Sequence, residues 1–115
     1  MKTSNKIINK KSNDPIDRLI FEKGLRVKHL LIDSDLDLII ILLNNGAIIK
    51  SKISDYPRLK KATKPQLNNW RLISKGISVE WEDIEEDLSV KGFIKNAMLN
   101  ATLNTLEGKK ALAFE

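Results

Sequence analysis

Apolar positions along the 115-residue chain change their period several times, and each change marks an element. Asp14-Pro15 opens the first. The aspartate can accept from free amide groups at a helix start, and proline suits the first helical position because an N–H there would be unpaired. Ile16, Leu19 and Ile20 then fall on one face, and Lys23-Gly24 is a suitable end. The spacing predicts a helix of about ten residues, too short to stand alone and so docked on something.

Leu25 to Ile32 alternates imperfectly, with Leu25, Val27 and His29 on one side and Arg26, Lys28 and Leu30 on the other. Asp33-Ser34-Asp35 is a turn. The run from Leu36 to Leu43 is almost wholly apolar and rich in branched side chains, as expected of a central or doubly buried strand. Asn44-Asn45-Gly46 follows. Asn-Gly is a strong hairpin signal, because a type I′ turn needs positive φ at both central positions. Ala47 to Ile53 returns, with Ile49, Ser51 and Ile53 alternating against Ile48, Lys50 and Lys52. The pattern predicts a three-stranded antiparallel meander.

Asp55-Tyr56-Pro57 breaks the third strand, and Pro57 can open a short helix through Arg58, Leu59, Lys60 and Lys61. Thr63-Lys64-Pro65 is a second helix start, with Leu67 and Trp70 on a shared face, and Trp70 to Ser74 is open to an extended course. Lys75-Gly76 marks a turn, after which Ile77, Val79 and Trp81 alternate in a short return strand. Ser89 is placed to cap the last helix, with Asp87 favourably near its positive end. Val90, Ile94, Ala97, Met98 and Ala101 make its apolar stripe, and Leu103, Leu106 and Gly108 end it. Gly92 lowers helix propensity by about 0.8–1 kcal/mol relative to alanine, which leaves the start open between Val90 and Phe93.

These elements predict an α+β fold: a three-stranded antiparallel meander and a short return strand, packed with helices and closed by a C-terminal helix. One domain spans residues 14–107. A flexible basic tail at 1–13 and a short tail at 108–115 flank it.

Composition narrows the function classes. There is no cysteine, which removes disulfides, thiolate metal sites and a cysteine nucleophile, and is compatible with a reducing, cytoplasmic compartment. No run approaches the ~18 apolar residues of a membrane span, and no apolar block follows the Lys-rich start to make a secretory signal. Glycines show no Walker or dinucleotide pattern, so no nucleotide cofactor is expected. His29 is the only histidine and is read as structural, since neither a second metal ligand nor a nucleophile accompanies it. No catalytic set emerges, and a non-enzymatic protein without cofactor or metal is the expectation.

Charge sharpens that picture. The net charge is only +5, but it comes in blocks. Lys2, Lys6, Lys10 and Lys11 crowd the start. Arg58, Lys60, Lys61, Lys64, Arg71 and Lys75 follow one another with no acid between. Glu80, Glu82, Asp83, Glu85, Glu86 and Asp87 follow with no base. The acidic run lacks the glycine and closing glutamate of a calcium loop and is read as the approach to the last helix. The basic block is the better candidate site. Arg58, Lys60, Lys61, Lys64 and Arg71 interleave with Tyr56 and Trp70, a set that can meet an acidic protein surface, or can contact phosphates and stack bases.

Several segments in fixed order also resemble a known family. They are Tyr56-Pro57-Arg58-Leu59, Ala62-Thr63, Gln66, Asn69-Trp70, Gly76, and Trp81-Glu82-Asp83-Ile84-Glu85-Glu86-Asp87-Leu88-Ser89. With the Asn45-Gly46 hairpin upstream, the chain over residues 25–95 resembles domain-of-unknown-function family 2442. The resemblance implies a small bacterial α+β protein. Some members are fused to a helix-turn-helix domain, and others resemble partners in two-gene toxin–antitoxin cassettes. It carries no catalytic residue over. Pro57, Leu59, Ala62, Gly76, Trp81, Asp83, Asp87 and Ser89 are read as structural members of the motif. Glu80 stands where many members have histidine, which weakens any site built on that position.

The expectation is therefore a binding or regulatory module, antitoxin-like by resemblance, with a protein partner such as a small toxin-like protein. A direct nucleic-acid binder using the 58–71 face and the Lys-rich start is the alternative. Membrane association is not expected, and the oligomeric state stays open.

Overall fold

A computed structural model describes residues 13–108. The expected basic tail, apart from Asn13, and the C-terminal tail beyond Gly108 lie outside the described residues.

Helix α1 (Pro15–Phe21) starts where expected, with the Asp14 carboxylate accepting from the Ile16 amide at 2.8 Å. Strands β1 (Val27–Asp33), β2 (Leu38–Leu43) and β3 (Ile48–Ser51) form the antiparallel meander with β2 central. The imperfect alternation of β1 has a cause. Its register steps from Val27 opposite Leu43 to His29 opposite Leu42, which leaves Lys28 as an extra, bulged residue. Val27 and Leu30 therefore both face the core, whereas simple alternation places them on opposite sides.

Strand β2 begins later than expected. Asp33 accepts from the Leu36 amide at 3.1 Å and Asp37 takes a φ of 53°, so Leu36 and Asp37 belong to the turn and Leu36 is exposed. Asn45-Gly46 does turn the next hairpin, but not as type I′. Of the three loop residues only Gly46 has positive φ, and its amide donates to the Leu43 carbonyl. That is the three-residue loop closed by a glycine at the left-handed position. Asn44 serves elsewhere. Its side chain accepts from the Arg26 amide and donates to the Gly24 carbonyl, tying the hairpin to the chain entering β1.

Helices α2 (Pro57–Lys60) and α3 (Lys64–Asn68) come next. Pro57 occupies the first turn of α2. Thr63 and Gln66 form a reciprocal capping box on α3: the Thr63 hydroxyl accepts from the Gln66 amide and the Gln66 side chain accepts from the Thr63 amide.

The return strand is the centre of a second antiparallel sheet, β4 (Arg71–Ile73), β5 (Ser78–Trp81) and β6 (Glu86–Ser89), in that order. The extended course at Trp70–Ser74 is β4. The acidic run is a hairpin rather than a helix approach. Glu82–Ile84 make a 3-10 turn and Glu85 takes a φ of 53°. The chain then reverses, so that Trp81 pairs with Glu86 and Glu80 with Asp87. Asp87 is thus an exposed strand residue, not part of a helix start.

One core joins both sheets and the four α-helices. It takes Ile20 from α1, Val27 and Leu30 from β1, Ile39 and Ile41 from β2, Leu59 from α2, Leu67 from α3, and Val79 and Trp81 from β5. The opposite face of the first sheet leaves Leu31 and Ile48 exposed.

Helix α4 (Val90–Leu106) begins at Val90, where the Ser89 hydroxyl accepts from the Gly92 amide at 2.9 Å, so Gly92 does not delay it. It ends at Leu106, two residues before Gly108, which has a φ of 82°. Val90 and Phe93 are buried and Ile94 packs on the core, but Met98 and Ala101 are exposed, against the expected stripe. The second half of the helix turns a different face inward. Asn96 and Asn100, one turn apart, both donate to the same Asp55 carboxylate oxygen, at 3.0 and 2.9 Å. Lys91 pairs with Asp14 at 3.3 Å and Asp17 at 2.7 Å, which ties α4 to α1.

Candidate functional site

The seven residues picked out as a basic and aromatic site do not form one face. Tyr56 is in the core: its ring meets Phe93 edge-on at 5.9 Å, and burial raises the pKa of its hydroxyl, which stands 3.4 Å from the Ser51 hydroxyl. It is not placed to stack on a base. Trp70 lies beyond the end of α3, half-buried, and meets the exposed His29 edge-on at 5.2 Å rather than continuing the Leu67 face. Arg71 is on β4 and pairs with Glu80 across the strands at 2.7 Å. The hydrogen bond and charge of Glu80 raise its pKa. Arg58 reaches across to donate to the Glu85 carbonyl at 2.6 Å.

What remains is a row of three lysines on α2, on the residue after it, and on α3. Lys60 and Lys61 are exposed and make no ion pair among the described residues. Lys64 is also exposed and approaches Asp35 at 3.3 Å, a surface contact worth little. Pro57 and the Thr63–Gln66 box fix the two short helices, and Leu59 and Leu67 anchor them in the core beneath the lysines.

The motif residues are spread over the fold, and Asp87 is an exposed residue of β6. Leu59 is fully buried and Ala62 packs on the core. Trp81 is fully buried and its indole N–H donates to the Leu67 carbonyl at 2.9 Å, joining β5 to α3. Asp83 accepts from the Asn69 side chain at 2.8 Å, and Ser89 caps α4. Gly76 lies against β1, where a side chain would strike the Val27 carbonyl oxygen.

The acids are divided among local contacts. Glu80 faces Arg71, Asp83 faces Asn69, and Glu86 accepts from the Asp87 amide. Among the described residues, no three His, Cys, Asp or Glu side chains gather so as to hold a metal ion. A cleft of about 190 Å³ at the foot of the lysine row is lined by Ile32, Asp33, Ser34, Asp35, Lys64, Leu67 and Asn68. It is smaller than the ~300–1,000 Å³ typical of ligand pockets. No helix among the described residues is long and apolar enough to cross a membrane.

Asp55 stands out in the structure although the sequence marks it only as a strand breaker. Its signal lay far downstream, in the i, i+4 spacing of Asn96 and Asn100. Burial pushes its carboxyl pKa up, but the hydrogen bonds from Asn96 and Asn100 outweigh burial and hold it below the ordinary carboxylate value. A lowered folded-state pKa contributes stability above the unfolded-state value of ~4, and this is lost as pH falls through the folded value. Asp55→Ala is expected to cost about 1 kcal/mol at neutral pH. The gap to wild type should narrow as pH falls below about 4, in urea unfolding followed by circular dichroism.

Known proteins share this architecture. The chain is similar to a crystal structure of a protein of unknown function from Rhodospirillum rubrum, with 24% identity and a TM-score of 0.56 over 63% of this chain and 87% of that one. It is similar to the solution structure of an uncharacterized protein from Chromobacterium violaceum, with 21% identity and a TM-score of 0.59 over 84% of this chain and 87% of that one. At these identities the likeness speaks for the fold alone. No curated protein matches the chain. The family model described as "Protein of unknown function (DUF2442)" matches residues 27–98, from the first residue of β1 to the middle of α4. The chain belongs to the DUF2442 family.

Proposed function

We propose that the protein is a non-enzymatic binding module whose α2–α3 lysines hold an acidic surface of a protein partner, in an antitoxin-like regulatory role. The observation that carries this reading is the exposed row Lys60, Lys61 and Lys64 on two short helices that are capped and core-anchored. Rigid positive charge of this kind steers and orients an acidic partner more than it adds raw affinity. The burial of Tyr56 and the edge-on seat of Trp70 against His29 leave the lysines without the stacking platform of a single-strand binder. The resemblance to toxin–antitoxin partners favours a small protein as the occupant.

The test compares wild type with Lys60→Glu/Lys61→Glu/Lys64→Glu, each purified from the native cells with and without nuclease. Wild type is expected to retain an acidic protein that salt releases and nuclease does not, and the triple variant to lose it. Retention that depends on nucleic acid would move the function to the phosphate-binding alternative, and retention by the triple variant would remove the lysine row from it.

A further inference from the structure

Taking the lysine row as the binding face proposed above, we infer that the β5–β6 hairpin keeps nucleic acid off it. The hairpin occupies Arg58 and Arg71 and leaves the face with lysines alone. The basic block from Arg58 to Lys75 holds two arginines and four lysines, and the fold sorts them by type. Both arginines end on acceptors of this one hairpin. Arg71, on β4, directs Nε and Nη2 to the same Glu80 oxygen on β5, each at 2.7 Å. Glu80, by hydrogen bond and charge, and Glu82 of the following turn, by charge, raise its pKa. Arg58, on α2, donates from Nη1 to the Glu85 carbonyl at 2.6 Å, in the turn that the left-handed Glu85 allows. Asp83 of that turn accepts from Asn69 at 2.8 Å, so the hairpin is also tied to the end of α3. Lys60, Lys61, Lys64 and Lys75 make no ion pair with the hairpin among the described residues.

The difference between the two cations gives this sorting its consequence. An arginine fork grips phosphate through two parallel N–H bonds, whereas lysine is a hydrated point charge on a flexible stem. Arg58 stands one turn before Lys61 and would lengthen the row to four cations, but its Nη1 is turned to Glu85 instead. Both arginine contacts are exposed and add little to stability, so their effect falls on binding. A nucleic acid that drew out either arginine would also lie against the carboxylates of Glu80, Glu82 and Glu85, which repel it. A carboxylate on a folded protein meets no such obstacle. It can reach Lys60, Lys61 or Lys64 and stay clear of the hairpin. The hairpin is therefore a selectivity element beside the face and not a ligand site.

Fluorescence anisotropy with a labelled single-stranded oligonucleotide, over a range of salt, is the test. Wild type is expected to bind weakly, with a slope of log K against log salt no steeper than about −2, from three lysines at ~0.7 each. Glu80→Gln/Glu82→Gln/Glu85→Gln, with unchanged far-UV circular dichroism, should bind about tenfold tighter at low salt, with a slope steeper by ~0.7 for one more phosphate contact. Adding Arg71→Ala should remove the extra slope. Arg58→Ala alone should leave the wild-type affinity as it is, because its fork is already taken. Equal oligonucleotide binding by wild type and the triple glutamine variant overturns the inference, and so does a clear loss of affinity in Arg58→Ala. Polyglutamate binding keeps the two readings apart. If Lys60→Glu/Lys61→Glu/Lys64→Glu still binds polyglutamate, the lysine row itself is wrong. If the row binds polyglutamate but the glutamine variant gains no oligonucleotide binding, only the role of the hairpin is wrong.

Discussion

Trp81→Ala is expected to remove about 3–5 kcal/mol of stability, the usual cost of deleting a large buried aromatic. For a domain with a total of ~5–15 kcal/mol that is a large share. Trp81 is fully buried, and it is also a strut: its N–H bond to the Leu67 carbonyl fastens α3 to the central strand of the second sheet. The lysine row rides on that helix and the one before it, so the loss should spread to the proposed binding face. Trp81→Phe keeps most of the ring but strands the Leu67 carbonyl, and should cost about 1–3 kcal/mol. Urea unfolding followed by far-UV circular dichroism ranks the three proteins. An alanine variant with the wild-type midpoint would show that Trp81 does not join the layers.

Gly76→Ala is the second large effect, expected at about 3 kcal/mol or more. At a φ of 106° an alanine is strained wherever it sits, and here its Cβ would lie 2.1 Å from the Val27 carbonyl oxygen. Backbone would have to move, either in the Ser74–Gly76 turn or in β1. Gly46→Ala is the matched control. Its φ of 89° is also positive, but nothing lies within 4 Å of the added Cβ, so only the conformational strain of about 1–2 kcal/mol applies. A Gly76→Ala protein as stable as Gly46→Ala would mean that the β4–β5 turn does not seat on β1.

Local chemistry made much of this fold legible from the residues alone. Asp14-Pro15, Thr63-Lys64-Pro65 and Ser89 each start the helix they announce, because a cap is decided by its own neighbours. The meander followed from apolar runs and an Asn-Gly turn. Long-range partners were not legible. The bulge at Lys28 exists because β1 must match β2, and no residue beside it declares that. The acidic run looked like a helix approach because its charges dominate. Its strand signal is only Leu88 alternating with its polar neighbours, and the left-handed Glu85 that allows the reversal carries no glycine to mark it. For the candidate site, composition marks a segment but cannot sort it. Tyr56 and Arg71 are drawn away by Phe93 and Glu80, from residues well separated in the sequence, and only Lys60, Lys61 and Lys64 remain together.

Residues 55–94 supply much of the framework, and the exposed lysine row is the part proposed to bind. The most direct check is an amide NMR titration of the protein with polyglutamate at low salt. Shift changes should concentrate at Arg58 to Lys64, fade as salt rises, and vanish in Lys60→Glu/Lys61→Glu/Lys64→Glu while the rest of its spectrum keeps the wild-type pattern. Changes centred on Trp70, His29 and the second sheet, or binding undiminished in the triple variant, would contradict the assignment of the binding face to the α2–α3 lysines.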